Sequence, residues 1–211
     1  MQTIEKLTVI KHPIVARDLT ILRNQATNTA DFRLAMGRIA TILAYFALKD
    51  LPLRETNIQT PIQQTKGFEI NTHIVIVPIL RAGLSLVNPL INFIPDASVG
   101  HLGMYRDETT HEPVDYYSNL PESLDKAMVL LVDPMLATGG SADDAITFLK
   151  KKGATNIRFI SLISAPEGLQ RISKQHPDVS VITAAVDEKL NSDAFIVPGL
   201  GDAGDRYFGT T

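Results

Sequence analysis

The 211-residue sequence contains no cysteine. That absence excludes disulfides, a thiolate nucleophile, zinc–thiolate sites and iron–sulfur clusters together. Long apolar runs are missing too. The longest, residues 73–80 and 128–132, have the length of buried strands and fall far short of the roughly 18 residues a membrane helix needs. Basic charge is not in excess: formal net charge is −3, so no bulk positive field draws the chain to nucleic acid or anionic lipid. The five histidines, His12, His73, His101, His111 and His176, show no i,i+4 pairing, which argues against a histidine-built metal site. Each reads as a surface or satisfied structural residue. The N-terminus, MQTIEKLTVIKHP, carries Glu5 and has no apolar signal core, so a cytoplasmic protein is the expectation.

What is present is an ordinary globular composition, with 45% hydrophobic and 20% charged residues. No repeat, low-complexity tract or Gly/Ser linker divides it, so residues 1–211 are expected to form one domain. Residues 15–24 read as a short helix and 28–49 as a longer one. In the latter, Phe32, Met36, Ile39, Leu43 and Phe46 recur at three- and four-residue spacing and share a face. That face is a candidate for a subunit contact. Asn28 or Thr29 caps the start and Pro52 blocks continuation. Residues 54–70 have β-type composition around Thr65-Lys66-Gly67, a hairpin turn. Beyond them apolar strands at 73–77, 98–104, 128–132, 158–163 and 179–184 alternate with helices at 84–93, 141–152 and 167–176. A polar stretch runs from 105 to 125. This alternation predicts an α/β fold, a mostly parallel sheet flanked by helices. Ligands of such sheets sit at the carboxyl ends of strands, here just after Val77, Met104 and Val132.

The strongest local signal is VLLVDPMLATGGSADDAITFLKKKGA, residues 129–154. A buried strand ends in Asp133-Pro134, and a short loop feeds a helix near Ser141. A helix start presents unpaired N–H groups and a partial positive charge. Gly139 and Gly140 let an anion approach the backbone, and Thr138 and Ser141 supply hydroxyls. Phosphate cradle is one reading; a tight turn with Ser141 as N-cap is the other. The lysine of a Walker A loop is absent. Asp133 repels phosphate but accepts from sugar hydroxyls, so the two together point to a phosphorylated sugar.

This segment resembles the 5-phosphoribosyl-1-pyrophosphate (PRPP) motif of phosphoribosyltransferases. Together with VPILRAGLSLV (77–87), GMYRDE (103–108) and FIVPGLGDAGDRYFGT (195–210), it resembles the uracil phosphoribosyltransferase family over nearly the whole chain. Many relatives in the wider transferase class carry two adjacent acids before the loop; here Pro134 follows Asp133, a feature the uracil branch shares. The resemblance implies a phosphoribosyltransferase-type fold with a small β-hairpin and a C-terminal hood, and the reaction of uracil with PRPP to give UMP and pyrophosphate. It implies that Arg81, Arg106, Asp133, Pro134, Met135, Leu136, Ala137, Thr138, Gly139, Gly140, Ser141 and Asp202 bind PRPP. Ile196, Gly201, Asp202 and Ala203 would form the uracil pocket, and Arg81, Arg106 and Asp202 the catalytic set.

Mg²⁺ is expected through pyrophosphate and water, without direct carboxylate ligation. A homodimer or higher homo-oligomer is expected, and some members respond to GTP, which no residue here assigns. Neither nucleic acid nor membrane is an expected partner. Gly199, Gly201 and Gly204 match G-x-G-x-x-G by letter, but the dinucleotide fingerprint needs a following helix and an acid about 20 residues on, and the sequence ends at Thr211. Residues 105–120 would close as a lid, excluding water. Two rivals stand beside this reading: a transferase for another base, and a regulatory RNA-binding protein on the same fold, which would need a basic face.

Overall fold

The computed structural model describes residues 6–106 and 113–210. The chain runs β1 (Leu7–Val9), α1 (Pro13–Arg23), α2 (Thr29–Ala47), β2 (Leu53–Gln59), β3 (Gln64–Ile70), β4 (His73–Pro78), α3 (Leu84–Phe93), β5 (Ser98–Val99), β6 (His101–Arg106) and β7 (Pro113–Asn119). It continues through β8 (Ala127–Val132), β9 (Met135–Leu136), α4 (Gly140–Lys151), β10 (Asn156–Ser164), α5 (Pro166–Gln175), β11 (Ser180–Val186), β12 (Lys189–Leu190), β13 (Ile196–Val197) and α6 (Ala203–Phe208).

The main sheet has the order β1-β11-β10-β8-β4-β5, with β9 continuing alongside β10, and all its pairings are parallel. Every residue of β8 is buried, as are residues 74–78 of β4. That is why these strands are continuous apolar runs and not alternating ones: helices cover both faces. One face packs on α1, α2 and α3 through Phe32, Met36, Ile39, Leu43, Leu86 and Leu90. The other packs on α4 and α5 through Ile146, Leu149, Leu169 and Ile172. Asn28 caps α2 by accepting from the Asp31 N–H at 2.9 Å, and the helix stops at Ala47, well before Pro52.

Three expectations need correction. The α2 stripe is no subunit face: Phe32, Met36, Ile39 and Leu43 are fully buried within this chain. The hairpin turn is residues 60–63, not Thr65-Lys66-Gly67. Thr60 Oγ1 accepts from the Ile62 and Gln63 N–H groups and Pro61 has no donor to give a ladder, whereas Gly67 lies mid-strand opposite Thr56. The strand expected at 98–104 is two: β5 adds to the main sheet, then β6 leaves it to pair antiparallel with β7. The polar stretch 105–125 contains β7 and the start of a 3₁₀ turn at Leu124–Lys126. Finally β1, only three residues long, adds an edge strand that composition does not announce.

Candidate active site

The carboxyl ends of β4 and β8 lie side by side, joined where the Ile79 N–H donates to the Val132 carbonyl at 3.0 Å. Beyond β4 the chain turns at once into α3, with the Gly83 N–H donating to the Ile79 carbonyl at 2.8 Å. A methyl on Gly83 would stand 2.5 Å from the Val132 oxygen and 2.6 Å from the Ile79 nitrogen and oxygen. Only glycine lets the turn carrying Arg81 sit this close to β8. The Leu80–Arg81 peptide is cis.

Beyond β8, Asp133 is anchored by its N–H to the Ile160 carbonyl, and its Oδ1 meets the Met135 N–H at 3.5 Å. Burial pushes the Asp133 carboxyl up to about 7; the Met135 N–H opposes the rise, and the Asp202 charge adds to it. Pro134 does not interrupt the strand layer, because its carbonyl accepts from the Leu162 and Ile163 N–H groups. The loop then reaches Gly139, which is left-handed at φ 78° and serves as the N-cap of α4 without any side-chain cap bond. Ser141 is therefore not the N-cap. It lies inside the first turn with its side chain exposed, so its hydroxyl is available to an incoming anion. Thr138 Oγ1 accepts weakly from the Gly140 N–H at 3.4 Å. The loop is backed by α5: a methyl on Gly168 would stand 2.5 Å from the Ala137 oxygen.

The C-terminal segment folds over this end of the sheet. Strands β12 and β13 pair antiparallel, burying Ile196, and Asp202 caps α6 by accepting from the Asp205 N–H at 2.8 Å. The two halves meet in a cleft of about 310 Å³ lined by Asp133, Met135 and Ala137 on one side and Ile196, Gly201, Asp202 and Ala203 on the other. Its size falls at the low end of the ~300–1,000 Å³ range of small-molecule sites. Seven residues expected from sequence thus line one cavity. Pro134, Leu136, Thr138, Gly139, Gly140 and Ser141 do not line it; they form the loop and helix start next to it. Arg81 flanks the cleft, its neighbour Ala82 being in the wall.

Arg106 ends β6, but its side chain lies outside the described residues, as does much of the segment expected to act as a lid. Sequence reasoning missed Ala82, Asp193, Ala194, Phe195 and Gly204, all of which line the cleft. Asn191 Oδ1 accepts from the Asp193 and Phe195 N–H groups, which wraps residues 191–195 into a turn with Ala194 at φ 62°. The Asn-Ser-Asp cluster signals a turn in the sequence, though not the direction it faces. A larger cleft of about 510 Å³ shares Gly201 but offers less chemistry. Its cations are committed, Arg23 to Asp187 and Gly199, and Arg206 to the carbonyls of Leu22, Asn24 and Leu200.

Comparison with known proteins decides the family. The model of the uracil phosphoribosyltransferase family matches residues 9–210. The chain belongs to the uracil phosphoribosyltransferase family. Its relatives include uracil phosphoribosyltransferases of Salinibacter ruber, 53% identical over 98% of each chain, and of Streptococcus pneumoniae, 52% identical over 97% of this chain and 99% of the relative. A solved Aquifex aeolicus protein superposes with a TM-score of 0.89 at 38% identity, covering 97% of this chain and 99% of its own. The adenine phosphoribosyltransferase of Leishmania donovani, at TM-score 0.58 and 13% identity over 92% of this chain and 89% of its own, shares the fold. No helix among the described residues is long and apolar enough to cross a membrane.

Proposed function

We propose that the chain transfers the 5-phosphoribosyl group of PRPP to a ring nitrogen of uracil, giving UMP and pyrophosphate. The observation that carries the reading is the meeting of the phosphate-type loop and the C-terminal glycine-rich wall in one cleft at the carboxyl end of the sheet. Residues 135–141 hold the 5′-phosphate on main-chain N–H groups, the α4 dipole and the free Ser141 hydroxyl. Asp133 accepts from the ribose hydroxyls. The base lies against Ile196, Gly201, Asp202 and Ala203, where backbone donors and acceptors match two carbonyls and an N–H.

As the anomeric carbon loses its leaving group it gains positive character, and the departing pyrophosphate gathers negative charge. Arg81 and Arg106 stabilise that charge, and Asp202 closes the cleft between base and sugar. No covalent intermediate on the enzyme is required, so the protein's contribution is alignment and preset electrostatics.

Mg²⁺ fits as a companion of the pyrophosphate. Mg²⁺ keeps several waters and binds through substrate phosphates, so the reading needs no protein cage to hold it. Bound there, it supplies charge neutralisation. Self-association belongs to the same reading. With the Phe32–Leu43 stripe of α2 buried, the hairpin residues Leu53, Ile62, Phe68 and Ile70 are among the exposed apolar side chains that offer a surface for it.

A base panel assayed for PRPP-dependent pyrophosphate release, with and without GTP, tests the reading. Uracil is expected to be the preferred acceptor, and the GTP arm reads any activation. Preference for a purine would overturn the uracil assignment.

A further inference from the structure

Arg81 carries a pyrophosphate role on a side chain that the turn itself does not hold. Its backbone is fixed by the crowding around Gly83, but its guanidinium is held by a segment far along the chain. The Arg81 Nη2 donates to Asp205 Oδ1 at 2.5 Å, across 124 positions in sequence. The guanidinium also lies over the Phe208 ring, 5.7 Å from its centroid. Asp205 is itself restrained, since the same Oδ1 accepts from the Thr210 hydroxyl at 2.6 Å. Its N–H donates to Asp202, the residue assigned to both base and PRPP. One turn of α6 therefore holds the base wall with the backbone of Asp205 and the arginine with its carboxylate.

The bond geometry separates orienting from blocking. Asp205 engages one terminal nitrogen of a fork that carries five donors. The Arg81 side chain stays 54% exposed, and its Nη2 lies 3.6 Å from where a Cβ on Gly204, a residue of the cleft wall, would stand, so donors remain for an anion at that wall. A carboxylate meant to neutralise the arginine would take it bidentately, as Asp187 takes Arg23 through both oxygens. We infer that Asp205 is a positioning residue, which aims the Arg81 guanidinium at pyrophosphate and links the base wall to the leaving-group site. This rests on the proposed role of Arg81.

Calorimetric titration of the full chain with pyrophosphate in the presence of Mg²⁺ tests it. The proteins are wild type, Asp205→Asn, Asp205→Glu, Arg81→Ala and the double variant Arg81→Ala/Asp205→Asn. Loss of the charge-assisted bond in Asp205→Asn is expected to weaken pyrophosphate about tenfold, and Asp205→Glu to recover part of that. On top of Arg81→Ala, Asp205→Asn is expected to add nothing, the mark of one residue acting through another. Uracil affinity is expected to stay within about twofold, since the Asp202 contact is made by the Asp205 backbone.

Unchanged pyrophosphate affinity in Asp205→Asn, additive losses in the double variant, or uracil affinity falling in step would each overturn the assignment. Wild type that binds no pyrophosphate would sink the functional reading along with it, which is a different outcome from wild-type binding that Asp205→Asn leaves intact. Phe208→Leu, which removes the ring and spares the carboxylate, supplies a second reading should Asp205→Asn not fold. An approximately threefold loss is expected there, and none would count against the assignment.

Discussion

Replacing Asp133 by Asn removes a charge and leaves a side chain of the same shape, and the structure sets the sign and size of the consequence. Burial withholds water and Asp202 faces the carboxyl, with only a long bond from Met135 in return, so it is pushed up from its ordinary value of 3.8 to about 7. Between about pH 4 and 7 the native state therefore holds a proton that the unfolded chain has released. Stability from this group is complete below pH 4 and is lost as pH rises to 7. A rise of about three units at 1.36 kcal/mol each caps the cost at ~4 kcal/mol above pH 7. Asn cannot ionise and escapes it. Without ligand, Asp133→Asn is expected to melt close to wild type at pH 4.5 and to be the more stable protein at pH 8. At ~2–4 °C per kcal/mol for a domain of this size, the gap at pH 8 is at most about 8–16 °C.

Ligand reverses the preference, because ribose hydroxyls donate to a carboxylate. UMP is expected to bind wild type more weakly as pH falls from 8 to 6, and the variant with little pH dependence. Thermal unfolding from pH 4.5 to 8.5, with and without UMP, reads both effects. A melting difference that stays constant across that range would show Asp133 ionised throughout and refute the burial argument.

Three further outcomes follow from other parts of the structure. Gly83→Ala drives a methyl into three backbone atoms that cannot give way, so a loss of roughly 3 kcal/mol or more is expected; a melting temperature within 2 °C of wild type, on the order of 1 kcal/mol or less, would contradict it. Phe32→Ala empties a fully buried site and removes the ring beneath the Arg206 guanidinium, 4.4 Å from its centroid. Denaturant unfolding is expected to show a loss of about 3–5 kcal/mol, and a loss under roughly 1 kcal/mol would mean the core closes over the gap. Arg106→Ala is expected to keep its melting temperature while kcat drops by about 100-fold or more; wild-type turnover would remove Arg106 from the chemistry.

The sheet was legible because β4 and β8 are buried on both faces, so a run of Val, Ile and Leu marks them without any phase to mistake. Helices α2 and α4 were legible from their stripes. Errors arose where one residue type serves two purposes. Gly67 reads as a turn but sits mid-strand, where a methyl would press on Ile58 at 3.2 Å; the true turn was signalled by Thr60-Pro61. Gly139 reads as an opening for phosphate, and its left-handed φ and its closeness to Gly168, 3.1 Å from where a Cβ would stand, show a packing demand as well. Seven residues named from the motifs line the cleft. Ala82, Phe195 and Asp205 were not named as site residues, because their roles exist only once residues 79–83 and 191–208 are brought together, and no local pattern encodes a contact across more than 100 positions.

A chain of net charge −3 whose cleft holds Asp133, Asp193 and Asp202 is an unlikely host for a polyanion by overall field. The arrangement works because charge beyond about 8 Å is screened in physiological salt, which leaves selection to groups in contact. The first turn of α4 gives main-chain donors and a dipole confined to that turn. Arg81 gives a cation whose direction is fixed by a ring and a single carboxylate oxygen. In the proposed binding mode the acids lie where the ligand presents hydroxyls and base edges, and they repel a phosphate that enters in the wrong orientation. Net charge therefore says little about what this protein binds; the order in which short-range donors and acceptors follow one another along the sheet end says most of it.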